Sequence, residues 1–337
     1  VSLINLCNAA NISLYSLELF EGVSRYIAST PETRSICNDP FIVGLKYTEA
    51  LKSACSRTLS ALTALSAIEL KEEETSVLHI LRGGLNFGLR EALGTAYNWN
   101  QHASNFISAQ RARKLPDSED WIITENSYNK FHLKKTNQIV FGDVVATGTS
   151  LEYALKRVLE NAQASKAEIR TVIFFSIGGP RSHEILANLA KEAKSICPAF
   201  ERAIVVYFEG IFGVAHKDSK LSISITGTDL LRSPAILAPE FVEANYSNPS
   251  FPIERCAIYD AGSRAFDLDQ YFFDIRDYWT KVLELYSKGM NYRDLLIQRF
   301  PELSLNRFAD VNLKEICDKQ LAKIPVIDNC LSVLSEH

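Results

Sequence analysis

Between residues 76 and 225, short β-rich runs alternate with helical stretches, and this alternation restricts the possible folds more than any other feature. The runs cover residues 77–81, 121–124, 139–145, 170–177, 203–208 and 221–225, with helical patterns at 150–162 and 182–193. Some runs are apolar at every position, as in Val172, Ile173, Phe174 and Phe175. A strand with one wet face alternates in polarity; an unbroken apolar run suits a strand covered on both faces. Strands separated by helices imply βαβ units around a parallel sheet, so the expected class is α/β.

The flanks read differently. Leu14, Leu17, Leu19 and Phe20, followed by Val23, Tyr26 and Ile27, are read as helical, and a second helix is expected over 46–70. The run Lys71, Glu72, Glu73, Glu74 is taken as a solvated helix end. From residue 272 the pattern is helical again, with a break near Pro301. The expected division is a helical segment at 1–74 packing on the core, an α/β domain at 75–271 and a helical extension at 272–337. Residues 101–137 carry only broken strand signals, and a long insertion of that kind is usually functional or mobile.

Composition removes several classes. The chain has 337 residues, 36 basic and 40 acidic, with 47% hydrophobic residues. There is apolar material enough for a packed core, and no basic excess of the kind a nucleic-acid binder shows. No apolar stretch is long enough for a membrane span, and the start lacks a signal-peptide pattern. The seven cysteines are widely spaced without a CxxC pair, and the six histidines show no ligand spacing. They are read as reduced thiols of a cytoplasmic protein without a directly ligated metal.

The chemistry concentrates at Ile139, Val140, Phe141, Gly142, Asp143, Val144, Val145, Ala146, Thr147, Gly148, Thr149 and Ser150. An apolar strand reaches an acid, then a small polar loop that opens a helix. Unpaired N–H groups and the positive end of the helix dipole make such a loop an anion site. Val145 through Ser150 form the candidate phosphate loop, with the hydroxyls of Thr147, Thr149 and Ser150 as further donors. Asp143 is placed to accept hydrogen bonds from hydroxyls of the same ligand, a combination that suits a sugar phosphate. The lysine of a Walker loop is absent, and so is a dinucleotide GxGxxG.

This segment resembles the 5-phosphoribosyl-1-pyrophosphate (PRPP) motif of type I phosphoribosyltransferases, with Asp143 on the second acidic position and Gly142 on the first. Three further segments resemble uracil phosphoribosyltransferases. Leu81, Arg82, Gly83 and Gly84 are similar to their pyrophosphate loop, where the planar fork of Arg82 suits a diphosphate. The 175–180 segment, ending Gly178, Gly179, Pro180, resembles a structural turn. Tyr259, Asp260, Ala261 and Gly262, with Arg264 beyond, look like the segment beside the base and ribose.

The resemblance implies a type I phosphoribosyltransferase-like parallel sheet flanked by helices. It implies a transfer in which a ring nitrogen of a nucleobase displaces pyrophosphate from PRPP. Asp143, Arg82 and Arg111 would then be the main site residues, with Arg113, Lys134 and Lys135 as weaker candidates in the insertion. Glu209, Gly210 and Ile211 could line the base site. Mg²⁺ would be held mainly through PRPP, and the insertion would close over the ligand. A second acid at Gly142 would be expected to tighten PRPP binding. The base is expected to be a uracil-like pyrimidine or an unusual base, and the assembly a homodimer. Two alternatives stay open: a non-catalytic module that senses PRPP or nucleotides, and a doubly wound α/β protein of unrelated activity.

Overall fold

A computed structural model describes residues 2–81, 83–115, 120–255, 258–259, 268–308 and 310–325, with Arg113 described by its backbone. The chain begins with strands β1 (Ile4–Ala9), β2 (Ile12–Phe20) and β3 (Val23–Ser29), then helices α1 (Pro31–Asn38) and α2 (Leu45–Ala64). Next come β4 (Thr75–Leu81), a 3₁₀ turn at Gly83–Phe87, α3 (Leu89–Tyr97) and β5 (Ala103–Ser108). The short strands β6 (Gln110–Arg113), β7 (Trp121–Glu125) and β8 (Asn129–Lys130) precede the long β9 (Thr136–Val145). After it run α4 (Thr149–Ser165), β10 (Glu168–Gly178), α5 (Arg181–Ile196), β11 (Arg202–Val214) and β12 (Leu230–Leu237). The helices α6 (Pro239–Ala244), α7 (Leu268–Ser287), α8 (Tyr292–Arg299) and α9 (Leu313–Lys323) follow.

The central sheet has the order β1-β2-β3-β11-β10-β9-β4-β5-β8, with β12 beside β11. The pairings β3·β11, β11·β10, β10·β9, β9·β4 and β4·β5 are all parallel. The protein is a mixed α/β fold with a mostly parallel sheet and flanking helices. The unbroken apolar runs lie in the middle: Ile139, Val140 and Phe141 of β9 and Val172 through Phe175 of β10 are at most 1% exposed. Helices cover both faces of these strands, which is why the runs do not alternate.

The helical reading of the first residues is corrected. Residues 4–29 form three antiparallel-paired strands that extend the sheet from β11 outward through β3. Glu21 and Gly22 both take positive φ, 45° and 86°, and reverse the chain between the paired residues Phe20 and Val23. A two-residue hairpin needs that left-handed geometry. The spacing of Leu14, Leu17, Val23, Tyr26 and Ile27 fits a helix only if this turn is read through. The run at 221–225 is also not a strand; the strand comes later, as β12, and carries Pro234. Pro is tolerated there because, among the described residues, β12 pairs on one side only, with β11.

The later helices are tied to the sheet domain. The Tyr271 hydroxyl on α7 donates to the Pro40 carbonyl at 2.8 Å, and the Tyr292 hydroxyl on α8 donates to Pro249 at 2.9 Å. Among the described residues no helix is long and apolar enough to cross a membrane. The described cysteines, Cys7, Cys37, Cys55, Cys197 and Cys317, are free thiols.

Candidate functional site

The strand order has one reversal among the parallel strands. From β4 the chain moves to β5 on one side; from β9 it moves through β10 to β11 on the other. At such a switch point the loops leaving two neighbouring strands diverge, opening a crevice beyond their carboxyl ends. The loop after β4 holds Leu81, Gly83 and Gly84; the loop after β9 holds Val145 through Gly148. They are adjacent: a Cβ built on Gly84 would stand 3.1 Å from the Gly142 carbonyl oxygen. The two loops singled out in the sequence thus meet at one crevice.

The loop after β9 leaves an uncapped helix start of the kind that suits an anion. Gly148 caps α4 with φ +79°, and its carbonyl accepts from the Glu152 N–H at 2.9 Å. No side chain caps the first turn, which leaves its N–H groups for a ligand. A Cβ at position 148 would lie 2.4 Å from Ile185 Cδ1, so close packing and positive φ both demand glycine here. From the other side the Gly179 N–H donates to the Val145 carbonyl at 3.0 Å, bracing the loop with the turn after β10. The hydroxyls divide their roles. Ser150 Oγ donates to the Ala109 carbonyl at 2.7 Å, so it anchors α4 instead of pointing at a ligand. Thr147 Oγ1 accepts from Arg111 and lies 3.4 Å from Thr149 Oγ1.

Arg111 comes from β6, which pairs with β7 as a separate hairpin folded toward the loop. Its guanidinium lies over the Trp121 ring, 4.6 Å from the centroid. Burial lowers its pKa, and the Asp143 carboxylate opposes that shift. Asp143 lies at the carboxyl end of β9, with Oδ1 accepting from the Val144 N–H at 2.9 Å. Burial pushes its pKa up to about 7, against the pull of that N–H and of Arg111. The site therefore holds a poised carboxylate and a stacked guanidinium within electrostatic reach of each other, beside an uncapped helix end.

Gly142 has a steric explanation. A Cβ there would lie 2.4 Å from Phe87 Cδ1 and 2.5 Å from Cγ. Phe87 is fully buried and stacks on Phe208 with centroids 6.5 Å apart. An acid at 142, expected to improve binding, would have to displace Phe87, because a side chain there meets a packed aromatic ring.

Other candidates are redistributed. Lys134 and Lys135 precede β9 and lie at the amino-terminal edge of the sheet; Lys134 Nζ donates to the Glu72 carbonyl at 3.4 Å. Tyr259 is buried with its ring edge-on to Tyr47 and Tyr271, at 5.3 and 5.5 Å. Glu209 turns toward the start of α1, where its carboxylate accepts from Ser29 Oγ at 2.7 Å, the Thr30 N–H at 3.1 Å and Thr33 Oγ1. Arg82, Asp260, Ala261, Gly262 and Arg264 lie outside the described residues, as does the Arg113 side chain.

A cavity of about 810 Å³ opens from the loop after β9. Ala146 and Thr147 border it on one side, Arg181 and His183 of α5 on another, and Ile211 through Ala215 with Pro234 through Ile236 on the third. Gly210 does not border it, whereas Ile211 does. A volume of this size takes a compact organic ligand. The sequence reading missed Trp121, His183 and Phe87. Only Trp121, the one tryptophan in a polar insertion, carried a local signal.

No family model matches the chain, and a search of curated proteins finds no match. Among solved structures the chain is similar to an adenine phosphoribosyltransferase from Trypanosoma brucei, in complex with AMP, pyrophosphate and ribose-5-phosphate. Identity is 13%, coverage is 58% of this chain and 86% of that one, and the TM-score is 0.33. It is also similar to a hypoxanthine phosphoribosyltransferase from Staphylococcus aureus, at 16% identity over 48% of this chain and 73% of that one, with a TM-score of 0.27. A third is the hypoxanthine-guanine enzyme of L. donovani, at 13% identity over 56% and 94%, also with a TM-score of 0.27.

Proposed function

We propose that this protein binds PRPP across the crevice between β4 and β9 and transfers its phosphoribosyl group to a nucleobase, releasing pyrophosphate. The observation that carries this is the meeting of two anion-suited loops at the one switch point, with a carboxylate between them and a ligand-sized cavity alongside. The N–H groups of the loop ending at Ser150 suit the 5-phosphate. Asp143, at the strand end beneath, suits the ribose hydroxyls. Leu81, Gly83 and Gly84 suit the diphosphate, and the cavity takes the base.

In the reaction a ring nitrogen forms a bond to C1 of the ribose as the bond from C1 to the diphosphate oxygen breaks. The diphosphate leaves with the electron pair and takes up the proton that the ring nitrogen gives up. The protein's share is positioning and charge stabilisation. Arg111, desolvated on Trp121, supplies fixed positive charge against the anionic ligand, and the β6–β7 hairpin carrying it shields the crevice from water.

Among the described residues no group of three His, Cys, Asp or Glu could hold a metal ion. A single carboxylate, Asp143, fits a Mg²⁺ that keeps several waters and takes its other ligands from PRPP. Bound in that way, the ion would neutralise charge on the departing diphosphate. Asp143 orients the ribose and takes part in that charge balance.

Calorimetric titration with PRPP and Mg²⁺ tests the reading, followed by pyrophosphate release in a panel of nucleobases. Saturable micromolar binding is expected; no binding up to millimolar concentration refutes it. One observation favours a sensing module that binds without turnover. The packing of Phe87 on Gly142 leaves only one acid at the strand end. PRPP binding without pyrophosphate release from any base would select that reading.

A further inference from the structure

One wall of the cavity comes from the long connection between β11 and β12, residues 215–229, which holds neither helix nor strand. Ala215, His216, Thr226 and Gly227 border the cavity. Gly227 takes φ +73°, and a Cβ built on it would stand 3.3 Å from Trp121 Nε1 and 3.6 Å from Thr147 Cγ2. Trp121 is the ring over which Arg111 lies, and Thr147 carries the hydroxyl to which Arg111 donates. The connection therefore packs against both supports of the guanidinium in the site. A connection this long without regular structure needs anchors to hold one conformation.

Those anchors are on the page. The Gly227 N–H donates to the Ala215 carbonyl at 2.7 Å and closes the base of the connection. Asp229 Oδ2 accepts from the Ile225 N–H at 2.8 Å, and Asp229 Oδ1 meets Arg255 Nε at 3.0 Å, with both side chains buried. Further along, α8 takes hold. The Arg299 guanidinium donates to the Ile223 carbonyl, and Gln298 Oε1 accepts from the Ser222 N–H at 3.0 Å. Arg299 is 5% exposed and lies over the Tyr278 ring, 5.2 Å from the centroid. Burying a guanidinium carries a desolvation cost that an apolar side chain would avoid. What it brings is a rigid fork of donors, able to hold a carbonyl in one place.

We infer that Arg299, with Gln298 beside it, is a positioning residue of the candidate site: from α8 it fixes the 222–229 segment, and through Gly227 it sets where Trp121 and Thr147 hold Arg111. This assigns part of the site to the C-terminal helices, and it rests on the phosphoribosyl-transfer reading for the choice of ligand alone. Neither Arg299 nor Gln298 borders the cavity, so their influence on a ligand passes through the connection. The span from Ile223 to Gly227 is short. It runs into a turn closed by the Thr228 and Asp229 N–H groups, which donate to the Ile225 carbonyl at 3.2 and 3.1 Å. A displacement at Ile223 is therefore passed on to Gly227 instead of being absorbed.

The test uses full-length protein and first reads the Trp121 indole, which needs no ligand. In ¹⁵N spectra the indole N–H of Trp121 is identified by its loss in Trp121→Phe. Arg299→Met keeps apolar bulk over Tyr278 but no donor. It should shift the Trp121 signal and speed amide exchange over 222–229, while Trp99, beyond α3, stays in place. PRPP affinity in the presence of Mg²⁺ should fall about tenfold, the worth of one charge-assisted hydrogen bond whose loss must be made good on binding. Arg299→Lys, which keeps the charge and a donor, should stay near wild type in all three readouts. Gln298→Ala, nearer the surface, should give the same changes in smaller degree, and it decides the matter if Arg299→Met does not fold. A Trp121 signal that stays put, or that moves only together with Trp99, overturns the inference. So does Arg299→Lys behaving like Arg299→Met, or PRPP affinity unchanged in a variant whose Trp121 has shifted. Wild type that binds no PRPP overturns the transferase reading, and the Trp121 and exchange readouts then decide this inference by themselves.

Discussion

Replacing Gly142 by Ala isolates the contact that makes this site unlike a two-acid motif. The new Cβ would stand 2.4 Å from Phe87 Cδ1, where ordinary van der Waals contact begins near 3.4 Å, so the ring must retreat by about 1 Å. Phe87 has nowhere to go: it is fully buried against Phe208, which stacks in turn on Phe175 at 5.9 Å. Overpacking of this kind costs about 1–3 kcal/mol. The lost freedom of the unfolded chain returns about 0.4–1 kcal/mol, so a net loss of about 1–2 kcal/mol is expected. Phe87→Ala alone should cost about 3–5 kcal/mol. In the double variant the clash is gone, so the combined loss should fall short of the sum by about 1 kcal/mol or more. Urea unfolding midpoints at constant slope measure all four corners of the cycle. Additive losses, or a Gly142→Ala protein as stable as wild type, would refute the steric account of this position.

Three further outcomes are expected. Arg111→Ala should weaken PRPP binding by about tenfold to a hundredfold, the worth of one charge-assisted hydrogen bond; calorimetry with unchanged affinity would remove Arg111 from the site. Because Asp143 titrates at about 7, its carboxylate is charged above that pH and neutral below. PRPP affinity should therefore rise as pH passes from 6 to 8, and Asp143→Asn should flatten that rise apart from the titration of PRPP itself. Glu209 is held up at about 7 by burial, against its contacts with Thr33, Ser29 and Arg34. The native state keeps that proton more tightly than the unfolded chain, so stability falls as pH rises from 4.5 to 7, by about 3 kcal/mol. Glu209→Gln should match wild type near pH 4 and exceed it by up to that amount at pH 8. His79 and His183, lowered to about 4, slope the opposite way below pH 6.5, so the difference between the two proteins, not the wild-type curve, is the quantity to read. An offset equal at both pH values would count against the buried acid.

The middle of the fold was legible because its strands are buried on both faces. Runs such as Val172 through Phe175 have one physical explanation, and the parallel sheet followed. The turn from β9 into α4 was legible for a related reason: glycine and small polar residues between an apolar run and a helical pattern suit a strand-to-helix turn, and few other constraints ask for that combination. The edges were harder. Residues 4–29 form strands with mixed burial, and residues 12–29 offer apolar positions at both periods; the deciding signal was the short turn at Glu21 and Gly22. β5 was invisible because Asn105 and Ser108 are buried polar residues, held by contacts that no window of sequence reveals: Asn105 Oδ1 accepts from the His132 N–H at 2.6 Å and Ser108 Oγ donates to the Tyr128 carbonyl at 3.2 Å.

The same reasoning separates the site residues that were anticipated from those that were not. The candidates Asp143, Thr147 and Gly148 stand where the chain itself puts them, one after another along a single strand and turn. Their roles depend on local geometry, so sequence order suffices. Gly142 depends on Phe87, 55 positions earlier, and His183 depends on Tyr207, 24 positions later. Both pairs meet only because the crossovers of a parallel sheet lay separate loops on opposite faces of the same strands. On β9 the side chain of Gly142 would face the core under the 3₁₀ turn, while Asp143, one residue on, faces the opposite side, as strand alternation requires. A single step of register decides between a site for a carboxylate and a site where even a methyl group does not fit. That is why the acid of this chain stands at the second position, and why moving it by one residue should disturb the core before it alters the chemistry.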